Sequence, residues 1–559
     1  MGLREPRGAA PRGLARWGGP RIGWSPRSAP LIPLPTDAAC TMRHLHLPRS
    51  SRPLLPALLA LGLALALAGP AAASSTQEAE PAAAAEADDD GDQLVTTSHT
   101  VTIRGEEIAY DAHAGDLTLK SEDGTEKARI FHVAYLRTNA PTDAPRPVTF
   151  CFNGGPGSSS VWLHLGTLGP QRVVMNDAGQ ELTPPPYQLT DNAYSILDTT
   201  DLVFIDPVTT GYSRAAEGQD KSQFHGLEGD IRWVAEFIRL WTTQNHRWGS
   251  PKFLAGESYG TTRACGLAGE LQNRHGMYLN GLILVSAILN FQTARFDVGN
   301  DLPYVLFLPT YTATAFYHGK LDAELSKDLK ATLAEVEAFA SGEYATALMK
   351  GDALPDAERA AVTAKLARYT GLSTAYVEAT NLRIRIGRFC KQLRRGERLT
   401  VGRLDSRFIG HDRDAAGEGY DFDPSMNAIS GPYTGTLNPY LREELGYESD
   451  LPYEILTGRV WPWSYGNHEN RYVNVGETLR EAMTKNPHLK VYVANGFFDL
   501  ATPYYATRYT FDHLGLEPHL RDNVTMGDFE AGHMMYVHPP SLVALHEDLE
   551  AFLEGALAR

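Results

Sequence analysis

The run Lys252-Phe253-Leu254-Ala255 leads straight into Gly256-Glu257-Ser258-Tyr259-Gly260, and beyond it Ala264, Leu267, Ala268 and Leu271 recur at helical spacing. A short buried-strand pattern, a G-x-S-x-G turn and a helix, in that order, describe a nucleophile elbow. The flanking glycines let backbones pass where a Cβ would clash, and the turn leaves Ser258 at the positive end of the helix. Alone the pentapeptide is a weak signal in a chain of 559 residues with 51 glycines. Its value lies in what it demands elsewhere.

A serine hydroxyl is a poor nucleophile at neutral pH, so an elbow needs a histidine base, a carboxylate to orient it and donors for an oxyanion. On an α/β scaffold these follow in the order Ser, Asp or Glu, His, each on a loop after a strand. Two downstream segments fit. Leu489 to Ala494 reads as a strand ending in Asn495-Gly496-Phe497-Phe498-Asp499, and Val524-Thr525-Met526 ends in Gly527-Asp528-Phe529-Glu530-Ala531-Gly532-His533-Met534. Asp499 and His533 complete the order. Asp499 also suits a helix cap, and Asp528 and His538 lie near enough to be rivals; the ends of parallel strands, where α/β sheets bind ligands, favour Asp499 and His533. Upstream, Val148 to Phe152 runs into Asn153-Gly154-Gly155-Pro156-Gly157-Ser158-Ser159-Ser160, a loop that brings backbone N–H groups close to a ligand. A dinucleotide loop is the other reading of such glycines, but Ser160 occupies the last glycine site of G-x-G-x-x-G, and no Walker A sequence is present.

Together these segments resemble the serine carboxypeptidase family of α/β-hydrolases. The family's N-G-G-P-G-C-S-S is similar to Asn153–Ser160 with Ser158 at the cysteine, its G-E-S-Y-G is unchanged here, and its A-G-H-M matches Ala531 to Met534. The segment Ile205 to Ser213 resembles its D-x-P-x-G-x-G-[FY]-S, with Ile205 and Thr209 departing. The resemblance implies Ser258 as nucleophile, His533 as general base and then acid, and Asp499 as orienting carboxylate. It implies an oxyanion hole from the N–H groups of Gly155 and Tyr259. It also implies substrate contacts at Asn153, Gly154, Glu257 and Met534, with Asn153 and a protonated Glu257 holding the substrate's terminal carboxylate, because two like charges at contact share a proton. The family's second glutamate is replaced by Thr167, and Ser158 removes a family disulfide. The expected activity is hydrolysis of C-terminal peptide bonds through an acyl-enzyme, best at acidic pH. The alternatives are an esterase, acyltransferase or other peptidase on the same fold, and a catalytically silent binding protein.

The expected architecture is α/β: an α/β-hydrolase fold, a mostly parallel sheet flanked by helices over about 93–559, with a helix-rich cap insertion at about 300–450. Helices are expected over Leu329 to Leu348 and Asp356 to Ala367. Between Val101 and Arg137, alternating patterns broken at Ala114-Gly115-Asp116 and Asp123-Gly124 predict antiparallel hairpins. Trp461, Trp463 and Tyr465 suit either a cleft wall or the core. Before the fold, residues 42–73 carry arginines, the apolar run Leu54 to Ala68 and Ala71-Ala72-Ala73, the layout of a secretory signal peptide. Residues 1–41 read as an upstream extension and 74–92 as a disordered acidic, Ala-rich linker. Export to periplasm or medium follows, with no stable membrane insertion after signal removal. A net charge of −16 argues against nucleic acid and anionic membranes as partners. Of four cysteines, Cys151, Cys265 and Cys390 follow the signal; with no CxxC and no H-E-x-x-H, neither a metal nor another cofactor is expected.

Overall fold

The computed structural model describes residues 92–141 and 144–558; the expected upstream extension, signal segment and all of the linker except Asp92 lie outside the described residues. Nine strands build the main sheet: β1 (Leu94–Ile103), β2 (Glu106–Lys120), β3 (Glu126–Arg137), β4 (Val148–Phe152), β5 (Asp201–Ile205), β6 (Lys252–Glu257), β7 (Gly281–Val285), β8 (Lys490–Gly496) and β9 (Val524–Phe529). They lie in the order β1-β2-β3-β5-β4-β6-β7-β8-β9, with the two residues Arg214–Ala215 pairing β3 as a tenth short strand. From β5 to β9 every pairing is parallel, while β1, β2 and β3 pair antiparallel and β3 joins β5 antiparallel. This is the α/β-hydrolase fold expected from the sequence.

Strands β4 to β7 are buried along their whole length. Parallel strands are covered on both faces, so both sets of alternating side chains must be apolar. Cys151, Phe253, Ala255 and Ile283 point to one side, where the helix Pro539–Leu557 packs Leu542, Leu545, Leu549 and Leu553. Phe150, Phe152, Leu254 and Leu282 point to the other, against α1 (Leu227–Gln244) and α2 (Tyr259–His275).

One expected turn is absent. β2 runs without a break through Ala114-Gly115-Asp116, and the chain reverses instead at Arg104-Gly105. Gly115 marks a close approach: a Cβ there would lie 2.2 Å from the carbonyl oxygen of Gln93. The second expected reversal, at Asp123-Gly124, is present between β2 and β3.

Between β7 and β8 the chain builds a helical body with its own core. It includes α3 (Leu302–Tyr317), α4 (Leu329–Phe339) and α5 (Asp356–Thr370), joined by Phe307, Tyr311, Val336, Leu366 and Phe389. α4 is continued by a wider, π-helical turn over Ala340–Tyr344 and a short α-helical piece over Ala345–Lys350, so the apolar periodicity over Leu329 to Leu348 spans three helical pieces.

The helices α1 and α2 are tied by a buried ion pair. Arg263 is 1% exposed; its Nε donates to Asp230 Oδ2 at 2.7 Å and a terminal nitrogen donates to the Asn153 carbonyl at 2.5 Å. Its guanidinium also lies over the rings of Phe152 and Tyr259 at 5.4 and 5.5 Å. Burial pushes the Asp230 carboxyl above its ordinary value, with Arg263 opposing. Removing one partner of such a pair leaves a buried charge without compensation. Asp230→Ala is therefore expected to lower unfolding stability by about 3–5 kcal/mol, and pairing Asp230→Leu with Arg263→Met to recover most of it. Urea denaturation midpoints check both; a single variant within about 1 kcal/mol of the parent would show that the pair is not an anchor.

Candidate active site

Ser258 sits between β6 and α2 with φ 60° and ψ −129°. A non-glycine residue held there carries about 1–3 kcal/mol of backbone strain. Neighbours hold it: its N–H donates to the Val285 carbonyl at 3.0 Å, and its own carbonyl accepts from the N–H and hydroxyl of Thr261 at 2.9 and 2.7 Å. The elbow glycines act by close approach. A Cβ on Gly256 would lie 2.3 Å from the Gly260 carbonyl oxygen, and one on Gly260 would lie 2.8 Å from that of Phe152. Strand, helix and the loop after β4 thus interlock where no side chain fits.

That loop carries Gly155, one of the two expected oxyanion donors, and touches Tyr259, the other. A Cβ on Gly154 would lie 2.4 Å from the Tyr259 nitrogen, so the glycine loop rests on the elbow amide. Tyr259 opens α2, and a first helical N–H has no carbonyl one turn earlier within the helix. Among the described residues neither the Gly155 nor the Tyr259 N–H donates to a backbone carbonyl outside its own element. Asp206 buttresses the loop from behind, accepting the Ser160 N–H and hydroxyl at 2.8 Å each and the Tyr453 hydroxyl at 2.7 Å. Ser158, at the cysteine position, accepts from the Trp162 indole at 2.8 Å, and its hydroxyl lies 3.3 Å from the Ile455 carbonyl oxygen. Cys151, Cys265 and Cys390 are free and buried.

His533 and Asp499 meet at 2.7 Å, Nδ1 to Oδ2, with the carboxylate fully buried. Asp499 also accepts the N–H groups of Ala501 and Thr502 at 2.7 and 3.0 Å and the Thr502 hydroxyl at 2.7 Å. Its carboxylate thus both contacts the His533 ring and caps the turn after β8. Burial works against charge on His533, but the Asp499 carboxylate outweighs it and holds its pKa above the ordinary histidine value. The histidine backbone is fixed as well: its N–H donates to the Leu404 carbonyl at 2.7 Å, and its carbonyl accepts from the Ser286 hydroxyl at 2.6 Å. The rivals are engaged elsewhere. Asp528 pairs with Arg508, and His538 contacts Asp177 at 2.5 Å.

Ser258 and His533 line one cavity of about 590 Å³, together with Asn153, Gly154, Glu257 and Met534. Among the described residues no hydrogen bond joins the Ser258 hydroxyl to His533, a contact that commonly tightens only with substrate bound. Burial pushes the Glu257 carboxyl up to about 7, and it accepts the Tyr536 hydroxyl at 2.6 Å. Asn153 turns its side-chain oxygen to the Leu163 N–H at 3.1 Å; its Nδ2 is buried without an ordinary hydrogen bond, near enough to Glu257 to draw that pKa down a little. Thr167 does not line the cavity. It is buried on the turn His164–Leu168, where a Cβ on Gly166 would lie 2.3 Å from the Tyr536 ring. Tyr536, Ser286 and Thr502 were missed in the sequence. Only Thr502 left a signal there, three residues after an acid in a turn. Of the aromatic cluster, Trp461 and Tyr465 line the cavity, while Trp463 is buried against Tyr259 at 5.5 Å.

Residues 106–534 match the family model described as serine carboxypeptidase. Among curated proteins, serine carboxypeptidase-like 50 of Arabidopsis thaliana is 27% identical over 279 residues, 48% of this chain and 54% of that protein. The pheromone-processing carboxypeptidase KEX1 of Saccharomyces cerevisiae is 33% identical over 136 residues, 22% of this chain and 17% of that one. The matched stretches therefore span about half or less of these relatives' own length. A crystal structure of the prohormone-processing carboxypeptidase Kex1(delta)p from Saccharomyces cerevisiae superposes with a TM-score of 0.50 at 17% identity, covering 80% of this chain and 91% of that one, which is a likeness of fold. With the family model spanning the sheet from β2 past the histidine loop, the chain belongs to the serine carboxypeptidase family.

Proposed function

We propose that this protein is a serine-type carboxypeptidase that hydrolyses C-terminal peptide bonds through an acyl-enzyme on Ser258. The observation that carries the reading is the pair beside the nucleophile: a buried Asn153 amide with a donor to spare, and Glu257, whose carboxyl burial keeps neutral up to about pH 7. Two such donors suit the carboxylate at a chain end. A neutral acid can share its proton with that carboxylate, whereas an ionised one would repel it.

In the reaction, Ser258 Oγ bonds to the scissile carbonyl carbon while His533 Nε2 takes the hydroxyl proton, and Asp499 stabilises the imidazolium. The Gly155 and Tyr259 N–H groups receive the oxyanion. Collapse breaks the C–N bond and His533 returns its proton to the leaving amine. Water, activated by the same imidazole, then attacks the acyl-enzyme, releasing the shortened chain and restoring Ser258. The helix-rich segment at about 300–450 serves as a cap, a role supported by Ile386, Arg403 and Met426 on the cavity wall. Residues 42–73 serve as an export signal, with a linker over 74–92 leading to a catalytic domain released in the periplasm or medium.

An esterase or acyltransferase is the second reading, favoured by Thr167, which supplies no second acid to the cavity. Ser258→Ala is expected to cut kcat about 10⁶-fold on blocked dipeptides, the loss usual for a nucleophile. Amidating the substrate's C-terminus is expected to cost about 10- to 100-fold in kcat/KM, the worth of a charge-assisted hydrogen bond. Equal rates on acid and amide, or preference for a simple ester, would give the reading to the esterase.

The pKa directions set a pH window. Glu257 is raised, so chain-end binding is present below about pH 7 and lost as pH rises through that value. His533 is raised and must be neutral to act, so activity is lost as pH falls through its own pKa. Protonating Glu257 also removes one of the charges that raise His533, so the apparent values belong to the pair. The pH profile of kcat/KM on free-acid peptides should therefore be bell-shaped and fall above about pH 7. Glu257→Gln should abolish the alkaline limb and keep the acid one. A parent enzyme whose peptidase activity climbs steadily into the alkaline range contradicts this assignment.

A further inference from the structure

The cavity beside Ser258 holds positive charge that neither the triad nor the chain-end contacts use. Arg295 and Arg403 line it, and Glu257 is its one carboxylic acid. Among the described residues neither guanidinium makes an ion pair or a side-chain hydrogen bond to the protein. The local acids are already engaged. Asp423 accepts the N–H groups of Arg403, Leu404 and Ser425 at 3.0, 3.3 and 3.0 Å and the Ser425 hydroxyl at 2.5 Å, capping the helix Pro424–Pro439. Asp405 is taken by Arg407 at 2.6 Å. Arg295 rests over the Phe291 ring at 5.8 Å, which shields one face of its guanidinium and leaves its charge free.

Both arginines are placed by the catalytic scaffold. The Arg403 carbonyl accepts from Leu500, the residue after Asp499, at 3.0 Å, and the next carbonyl, of Leu404, accepts from His533. Arg295 follows the short helical turn Phe291–Ala294 beyond β7, and Phe291 packs edge-on to Tyr259 at 6.4 Å. The positive charge of Arg403 reaches His533 and opposes its protonation, whereas neither arginine is among the groups that most shift Glu257. Ile288, Phe291, Ala294 and Ile386 line the same cavity, and apolar walls strengthen the field of a charge they enclose.

We propose that Arg295 and Arg403 select peptides with an aspartate or glutamate side chain at one of the two residues flanking the scissile bond. The inference rests on the carboxypeptidase reading and names the substrate class of that same site. Arginine suits the task because its planar donors meet a carboxylate two at a time and keep their charge at any working pH.

The test compares blocked dipeptides that differ only by Glu against Gln, at the residue before the scissile bond and, separately, at the C-terminal residue, at pH 6 and low salt. The Glu/Gln ratio of kcat/KM is expected to reach tenfold or more at one position and to shrink as salt is added. Arg403→Gln and Arg295→Gln should each lower that ratio, and Arg403→Glu should turn the preference towards Lys. A parent-enzyme ratio at or below one at both positions overturns the proposal without recourse to any variant. An unchanged ratio in both Gln variants overturns it as well, because the arginines would then act on the chain end or on the fold. If Gln peptides are cleaved as well as Glu peptides and amides are still rejected, the substrate class falls and the carboxypeptidase reading stands; if no peptide is cleaved, both fall.

Discussion

Arg263 holds together the parts that have to meet. It lies in α2 just beyond Ser258, it pairs with Asp230 of α1, and it donates to the carbonyl of Asn153, the residue whose amide faces the cavity. One guanidinium thus fixes the elbow helix, its neighbour and the glycine loop after β4 relative to one another. A buried ion pair is poor evidence of net stabilisation, since desolvating two charges costs several kcal/mol each and their attraction only offsets that cost. The upward displacement of the Asp230 pKa by burial, despite Arg263, is that cost made visible. What the pair supplies is geometry. Gly154, Gly256 and Gly260 leave no room for side chains between strand, helix and loop, so small displacements there become clashes, and a rigid three-way tie prevents them.

The framework was legible in the sequence because its signals are local. Val148–Phe152 was read to the residue, since a short apolar run ended by Asn-Gly-Gly has little freedom to be anything but a buried strand and a turn. The glycine at 115 was misread for the opposite reason. A glycine inside an alternating pattern signals either a turn or a close approach, and only the position of Gln93, just before the neighbouring strand β1, decides between them. The candidate site divides the same way. Ser258, Asp499 and His533 announce themselves through strand-loop junctions, but Tyr536 reaches Glu257 across a separation of 279 residues and Ser286 reaches His533 across 247. Their roles depend on which turns pack together. Arg403 was invisible for a further reason: an arginine between apolar residues says nothing about whether a carboxylate awaits it.

The departures from the family pattern are absorbed by neighbours. Ser158 cannot form the disulfide that the resemblance leads one to expect. Its hydroxyl bridges Trp162 and the Ile455 carbonyl, and the backbone of Gly157 accepts from Thr457, so the glycine loop after β4 is sewn to the 455–457 segment by hydrogen bonds. Such bonds contribute about 0.5–1.5 kcal/mol each, and they constrain the folded state without cross-linking the unfolded one. The attachment is local and reversible where a disulfide would be global. Thr167 is absorbed likewise: the turn that bears it packs against Tyr536, whose hydroxyl bonds to Glu257.

Glu257 sits in a cavity whose other unpaired charges are positive, so ionisation would be expected to come easily, yet burial keeps its carboxyl neutral up to about pH 7. The two facts agree only if the arginines lie too far from Glu257, or too well screened, to hold its anion. Arg403 acts on His533 instead, opposing the imidazolium that Asp499 favours. A cation there lowers the histidine's affinity for its proton while burial keeps the Glu257 proton in place, so the pH range in which both groups are neutral widens from both ends. One cavity thus contains a carboxyl that burial keeps neutral up to about pH 7 and two guanidinium groups without an ion pair among the described residues.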